Sequence, residues 1–468
     1  MFTYEEAKTY LKQTAAPGSV LGLTNMRALM DALHNPQNTI PTIHIAGTNG
    51  KGSVGAYLAS ICQAAEFKVG RYTSPAVFDP LECWQYDGAF ITPEEYAECM
   101  WEVKEACEKI ASDNIYPTQF EMETALAFVY FSMKKPDVFL LETGMGGATD
   151  ATNVVDNPLA CVFTTISMDH MQFLGNSLEE IATVKAGIMK PGATIFWGKQ
   201  EATVEKVLQR EFEKVEQEGK LNGNPPMLGD VYVSRTKLTS HKLGELRFSY
   251  LGVNYMTRMS GIYQMENAAL AIAVFDAIWP RLLFGLSDEM QMWNDEQAPL
   301  AGWMDMEYAS RLGILQAYWP GRFEIIGEKP LMILDGAHNV DAACQLRKTI
   351  ENCFTNQHLA YIIGVLADKE HEKMLETMLP YAARVYTITP DNPRALDGKL
   401  LQQEIHNLVE SNGLEAEVIY CNSIEEAVKE ACAYGLKQNV PVLAFGSLSY
   451  LGQLREAYKD SVISESRI

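Results

Sequence analysis

Residues 43–54 read I-H-I-A-G-T-N-G-K-G-S-V, and this stretch narrows the folds open to the chain more than any other. A short apolar run enters a glycine-rich turn. A lysine and a serine follow, and Tyr57, Leu58, Ile61 and Cys62 then recur at helical spacing. The order is strand, phosphate loop, helix. Backbone N–H groups in such a loop, with the positive end of the helix behind them, favour a polyphosphate. Gly47, Gly50 and Gly52 allow close approach of phosphate oxygens. Lys51 is placed to reach the outer phosphates, and the hydroxyl of Ser53 or Thr48 to face Mg²⁺. Gly52 intervenes between Lys51 and Ser53, a departure from the general pattern. The competing reading is a turn with a structural role only.

The chain has 468 residues, too many for one core, and two or three domains are expected. It has no run of eighteen apolar residues, so no membrane span is expected. Met1-Phe2-Thr3-Tyr4-Glu5-Glu6 lacks the basic-then-apolar order of a secretory signal. A net charge of −22 argues against non-specific nucleic-acid binding and requires local cations around any anionic substrate. The nine cysteines include no C-x-x-C pair, the usage of reduced core thiols in a cytoplasmic protein, and no zinc site is expected.

Apolar positions at helical spacing over residues 1–40 predict a helical lead-in. Residues 69–75, V-G-R-Y-T-S-P, read as a second strand ending in Thr73-Ser74-Pro75. The tract to Gly88 reads as loop. Thr92-Pro93-Glu94-Glu95 starts a helix with a cap, a proline and acidic residues. Residues 120–133 form an apolar, buried helix. Strands are expected at 138–142, 160–167 and 194–198, with a helix over 178–189 that contains Lys185. A charged helix covers 199–220, a small antiparallel region 231–259, and a helix 264–278 with Asn267 near its start. Residues 285–318, rich in aromatics, Met and acids without clear periodicity, read as a linker with an insertion. Apolar runs at 331–334, 361–366, 385–389, 417–420 and 441–445 then define a second α/β unit.

This alternation predicts an α/β protein in two parts. An N-terminal phosphate-loop ATPase domain (1–290) carries a mostly parallel, doubly wound sheet plus the small antiparallel region. A linker (291–318) leads to a C-terminal Rossmann-like α/β domain (319–468). Ligands of such sheets sit beyond the carboxyl ends of the strands. Ser53, Ser74, Glu142 and His170 each follow a strand closely, which points to one site.

Carboxylate, imidazole and hydroxyl together suit a divalent cation, although histidine is an unusual partner for Mg²⁺. Glu142 could instead cap the next turn, and His170 could be a satisfied core or cap histidine. Lys185 lies among apolar neighbours in T-V-K-A-G-I-M-K. Burial would disfavour its charge; alternatively its head reaches water. In the second domain Asp335 and His338 of L-D-G-A-H-N follow a strand, and Arg322 of G-R-F-E precedes it. The arginine fork suits phosphates, but an ordinary surface ion pair is an equal alternative.

Nine motifs then occur in order: A-G-T-N-G-K-G-S (46–53), T-S-P (73–75), F-E-M-E-T-A (120–125), E-T-G-M-G-G-x-x-D-A-T-N (142–153), D-H-M-Q-F-L-G (169–175), K-A-G-I-M-K-P-G (185–192), G-R-F-E (321–324), D-G-A-H-N (335–339) and F-G-S-L-S-Y-L-G (445–452). Together they resemble the folylpolyglutamate synthase / dihydrofolate synthase family, relatives of the Mur ligases. The resemblance implies ATP-dependent amide formation, in which a folate or dihydropteroate carboxylate becomes an acyl phosphate and the amine of L-glutamate displaces phosphate. It implies that Thr48, Asn49, Gly50, Lys51, Gly52 and Ser53 hold phosphates, with Asn267 at the adenine. Arg322, Asp335 and His338 would close over ATP. It assigns Ser53, Ser74, Glu142, His170 and a carbamylated Lys185 to magnesium, and Lys51, Glu142, His170 and Lys185 to catalysis. A cytoplasmic monomer is expected.

Three departures from the family stand out. Ala76-Val77 and then Leu81-Glu82-Cys83-Trp84 replace the usual H-L and E-R-I-like run. Ala148 stands where arginine is usual, and 285–318 is longer than typical. Two other readings compete with a folate ligase: a Mur-like ligase with another carboxylate substrate, and a nucleotide-binding module that has lost catalysis.

Overall fold

The computed structural model describes residues 2–14, 22–284 and 300–465. Its first sheet comprises β1 (Thr42–Ala46), β2 (Val69–Tyr72), β3 (Trp84–Tyr86), β4 (Ala89–Phe90), β5 (Val138–Glu142), β6 (Ala160–Phe163), β7 (Thr194–Trp197) and β8 (Met227–Leu228). The order across the sheet is β4-β3-β2-β5-β1-β6-β7-β8. The six strands from β2 to β8 in that order are parallel, and β3 alone runs the other way, pairing antiparallel with both β2 and β4. The tract before Gly88, expected as loop, therefore contains a short hairpin. Strands of three and two residues are too short to show a period of two.

The central strands are apolar on both faces, as a parallel sheet covered by helices requires. In β5, Phe139 and Leu141 join one core with the 93–111 and 119–134 helices. Val138 and Leu140 face the other way, into a core with Ile43, Ile45 and the phosphate-loop helix Lys51–Ala64. Each such large side chain contributes roughly 1.5–3 kcal/mol by leaving water. Thr92 with Glu95, Thr118 with Glu121 and Ser177 with Glu180 form reciprocal capping boxes that fix helix starts.

Strands β9 (Thr236–Lys242), β10 (Glu245–Tyr250) and β11 (Val253–Thr257) make the small antiparallel sheet. The Gln264–Phe284 helix follows. Residues 285–299 of the expected linker lie outside the described residues. Leu300–Gln316, however, is a helix, which corrects the linker reading for that part. Met306, Ala309 and Ile314 share a core with Tyr57, Leu58 and Ile61. Gly313 lies so close that an added Cβ would stand 2.4 Å from Ile61 Cα. Its apolar residues lack a clean stripe because Tyr308, Leu312 and Leu315 lie off the buried face.

The second sheet comprises β12 (Glu324–Glu328), β13 (Leu331–Leu334), β14 (Leu359–Ile363), β15 (Ala382–Thr387), β16 (Glu417–Tyr420) and β17 (Val442–Phe445), ordered β12-β13-β17-β14-β15-β16. Only β12 is antiparallel to its neighbour.

Candidate active site

Register places the chemistry. Ile45 of β1 pairs with Glu142 at the end of β5, and Ala46 pairs with Phe163 at the end of β6. Gly47, Thr143 and Thr164 therefore emerge side by side at one sheet edge. Gly47 (φ +154°) and Gly50 (φ +96°) admit no side chain there. A Cβ would stand 1.9 Å from Thr164 Oγ1 at the first and 2.7 Å from Asn267 Oδ1 at the second. The N–H groups of Lys51, Gly52 and Ser53, in the first turn of the helix, have no acceptor within it and face the loop.

A cavity of about 510 Å³ lies between the two domains, and every residue proposed above for nucleotide, metal or catalysis lines it. The first domain contributes Thr48 through Ser53, Ser74, Glu142, His170, Lys185 and Asn267. The second contributes Arg322, Asp335 and His338, together with Lys369, Arg394 and Ser447. The carboxyl ends of both parallel sheets thus open on one space.

Lys51 Nζ donates to the Gly47 carbonyl at 3.2 Å and lies 3.8 Å from Glu142 Oε1. Burial raises the proton affinity of Glu142, while Lys51, Arg71 and Arg322 favour its anion. Lys185 is buried and donates to the same Gly47 carbonyl at 2.9 Å. Burial, then the charge of Lys51, lowers its pKa from 10.5 to about 7. Burial likewise lowers His170 to about 4, against the pull of Asp169, so its imidazole is neutral at neutral pH. Gln264 Nε2 donates to Ser53 Oγ at 3.2 Å, and Asn267 donates to Gln264 at 3.1 Å.

Thr48 and Asp335 are engaged with their own protein. The Thr48 hydroxyl donates to the Ser167 carbonyl at 3.0 Å and accepts from the Ser167 N–H at 3.1 Å. Between Thr48 and Ser53, the serine is the better placed to offer an oxygen. Asp335 is buried and accepts from the N–H groups of Phe323 and Ala337 and from Tyr263 Oη. Arg322 lies across Gly336, where a Cβ would stand 2.3 Å from its Nη1. That contact explains the glycine in D-G-A-H-N.

The sequence reasoning named Asn49 and His338 but missed the residues they meet across the domains. Asn49 Nδ2 donates to Asp341 Oδ2 at 2.8 Å and to Asn339 Oδ1 at 3.2 Å. Asp169 is ion-paired with Lys369 and lies 3.6 Å from His338 Nε2. Burial opposes its charge, but His338, His170 and Lys369 outweigh it and hold its carboxyl well below the usual range. The signal for Asp169 was present, since it stands beside His170 in D-H-M-Q-F-L-G.

The altered loop after Ser74 also reaches the second domain. Val77 and Phe78 pack against its core, and Arg455 Cζ lies 3.5 Å from the centre of the Phe78 ring. Ala148 is exposed, and its N–H donates to the Val184 carbonyl at the end of the 178–186 helix.

Residues 45–275 match the Mur ligase middle domain, and residues 321–448 match the Mur ligase glutamate ligase domain. The dihydrofolate synthase/folylpolyglutamate synthase of Bacillus subtilis is 31% identical over 465 residues, 98% of this chain and 100% of that protein. The solved Mycobacterium tuberculosis folylpolyglutamate synthase complexed with ADP and AMPPCP superposes with a TM-score of 0.81 at 28% identity, covering 97% of this chain and 98% of that one. E. coli FolC in complex with DHPP and ADP gives 0.75 at 26%, covering 100% and 99%. A phosphate loop facing a second α/β domain across a cation-lined cavity defines an ATP-dependent ligase of the Mur class. Within that class, the chain belongs to the dihydrofolate synthase/folylpolyglutamate synthase family.

Proposed function

We propose that this ligase joins L-glutamate to the carboxylate of a folate through an acyl phosphate, with residues 1–290 as the ATP-binding domain and 319–468 as the glutamate ligase domain. The observation that carries the reading is the interdomain cavity that Lys51, Glu142, Lys185, Arg322 and His338 all line. A carboxylate is a poor electrophile, and the reaction gathers several anions. Buried cations offset that repulsion, and a closed site spares an acyl phosphate from water.

The steps are assigned as follows. The N–H groups of residues 50–53 and Lys51 bind the terminal phosphates of ATP. A carboxylate oxygen of the folate attacks the γ-phosphorus and ADP leaves. The glutamate amine attacks the acyl carbon, loses a proton, and phosphate departs with the former carboxylate oxygen. The bonds of Asn49, Asp169 and Tyr263 to the second domain hold the two halves together around these steps.

A second cavity supports the folate assignment. It meets the first at Ser74, Pro75, Ala76, Gly144 and Met145. Tyr72, Trp84 and Phe120 line it beside Glu123, whose proton affinity burial raises. Aromatic walls and a desolvated carboxyl suit a flat heterocycle bearing N–H donors.

The residues fit magnesium in part. Ser74, Glu142 and His170 converge on the cavity, yet among the described residues no three His, Cys, Asp or Glu groups cluster for a metal ion. A carbamate on Lys185 would add the missing anionic oxygen, and the neutral amine that CO₂ requires is accessible near neutral pH. Bound there, magnesium would supply charge neutralisation for the phosphates. We also read the chain as a cytoplasmic monomer, in keeping with its nine free cysteines.

The test is phosphate release from ATP with L-glutamate, with and without dihydropteroate or tetrahydrofolate. Release that requires both substrates supports the reading. No release with either pterin substrate contradicts it.

A further inference from the structure

Arg71 belongs to none of the motifs above, yet its side chain is buried against the phosphate-loop helix. Its Nη2 donates to the Gly52 carbonyl at 2.6 Å. Its Cζ lies 3.9 Å from the centre of the Trp319 ring. Gly52 lies against the same indole, where an added Cβ would stand 2.5 Å from Trp319 Nε1. Gly55, one helical turn on, leaves room for the guanidinium, with a Cβ there 3.4 Å from Arg71 Nε. Arg71, Gly52 and Trp319 thus form one stack. It runs from β2 through the first turn of the phosphate-loop helix to the segment that enters the second domain.

Burying a guanidinium is unfavourable unless its surroundings compensate. Burial lowers the Arg71 pKa to about 10, partly offset by Glu142 and Glu82, so the charge persists at neutral pH. An apolar side chain would fill the same space without that cost. An arginine alone combines flat stacking on an indole with N–H groups aimed at a carbonyl. Trp319 stands three residues before Arg322, which lies across Gly336 in the ATP cavity. The stack therefore joins the phosphate-binding turn to the chain segment that carries the cation from the other domain.

We propose that Arg71 is a positioning residue for ATP use, fixing Arg322 relative to Lys51 and the 50–53 turn through Trp319. It does not touch phosphate. The proposal rests on the reading of the interdomain cavity as the ATP site.

The test compares Arg71→Met, Arg71→Lys, Trp319→Leu, Trp319→Phe and the Arg71→Met/Trp319→Leu double variant in the full chain. AMPPCP affinity and the KM of each substrate are measured, with circular dichroism as a folding control. Arg71→Met and Trp319→Leu should each weaken AMPPCP and raise KM for ATP about tenfold, and the double variant should be no worse than the worse single one. Trp319→Phe should stay within about threefold of the unchanged chain, because a ring still stacks, whereas Arg71→Lys should rescue only part of the loss. The folate KM should hold throughout. Additive losses, or equal damage from Trp319→Phe and Trp319→Leu, would overturn the proposal. So would parallel shifts in the KM of every substrate. If Arg71→Met does not fold, the two Trp319 variants decide alone. Failure of the unchanged chain to bind AMPPCP would overturn the ATP-site reading and this proposal with it; additive losses in a chain that binds overturn the proposal alone.

Discussion

Lys51 and Lys185 donate to one and the same acceptor, the carbonyl of Gly47, at 3.2 Å and 2.9 Å. The carbonyl brings the two side-chain nitrogens together. Burial, then the charge of Lys51, lowers the Lys185 pKa to about 7. A lysine that is half neutral near physiological pH can react with CO₂.

Lys185→Ala should therefore abolish most turnover, and short carboxylic acids should restore part of it. Carbamylation of the native chain should increase as pH rises through about 7, because only the neutral amine reacts. Below that pH the amine is protonated and the carbamate is lost. Mass spectrometry under CO₂ at graded pH measures this directly, and an unmodified Lys185 at pH 8 would refute it.

Removing Lys51 should cost about 3 kcal/mol or more of transition-state stabilisation, roughly a hundredfold or greater loss in kcat. Initial rates on folded Lys51→Ala protein check this. Turnover near normal would exclude the loop as the phosphate site.

Asp169 contributes to stability with a definite pH sign. Its folded pKa lies below the ordinary aspartate value of 3.8, so the folded state holds its proton less tightly than the unfolded state. The contribution is fully present above that value and is lost as pH falls through the folded value. Asp169→Asn should flatten the acid limb of an unfolding curve below about pH 4, compared with the unchanged chain. Lys369→Met should destabilise the protein at neutral pH by about 1–3 kcal/mol, since the buried carboxylate loses its ion pair but keeps the His170 N–H at 2.8 Å. Chemical denaturation at both pH values measures the pair.

Gly52→Ala should cost about 1–3 kcal/mol, because the new methyl overlaps the Trp319 indole. A thermal midpoint equal to that of the unchanged chain would mean that the indole is free to move. Glu123→Gln should raise the folate KM several-fold while leaving the ATP KM alone, if the aromatic cavity holds the heterocycle.

The phosphate loop and the parallel strands were legible in the sequence because both are local. An apolar run ending in Gly-Thr-Asn-Gly-Lys-Gly-Ser needs no distant partner to be recognised. The same holds for Glu142, the last residue of β5, whereas β6 ends at Phe163, short of the expected 167, so His170 is marked by its motif more than by its strand. What was illegible depends on contacts across the chain. The glycine between Lys51 and Ser53 has its steric reason in Trp319, far along the sequence. Arg71 reads as an ordinary strand residue, because its stack is made with Gly52 and the distant Trp319. Lys369 gave no sign of its pairing with Asp169, which only the closeness of the two domains creates. The 300–316 helix buries one face, with Met306, Ala309 and Ile314, but Tyr308, Leu312 and Leu315 place apolar side chains off that face and blur its stripe in the sequence.

The central claim is that ATP phosphorylates the folate carboxylate before the glutamate amine attacks. It is tested most directly with a folate whose reacting carboxylate carries ¹⁸O, incubated with ATP and L-glutamate. The account predicts one ¹⁸O in each inorganic phosphate released from a fully labelled carboxylate, together with ADP and a product longer by one glutamate. Product formation with unlabelled phosphate would contradict it.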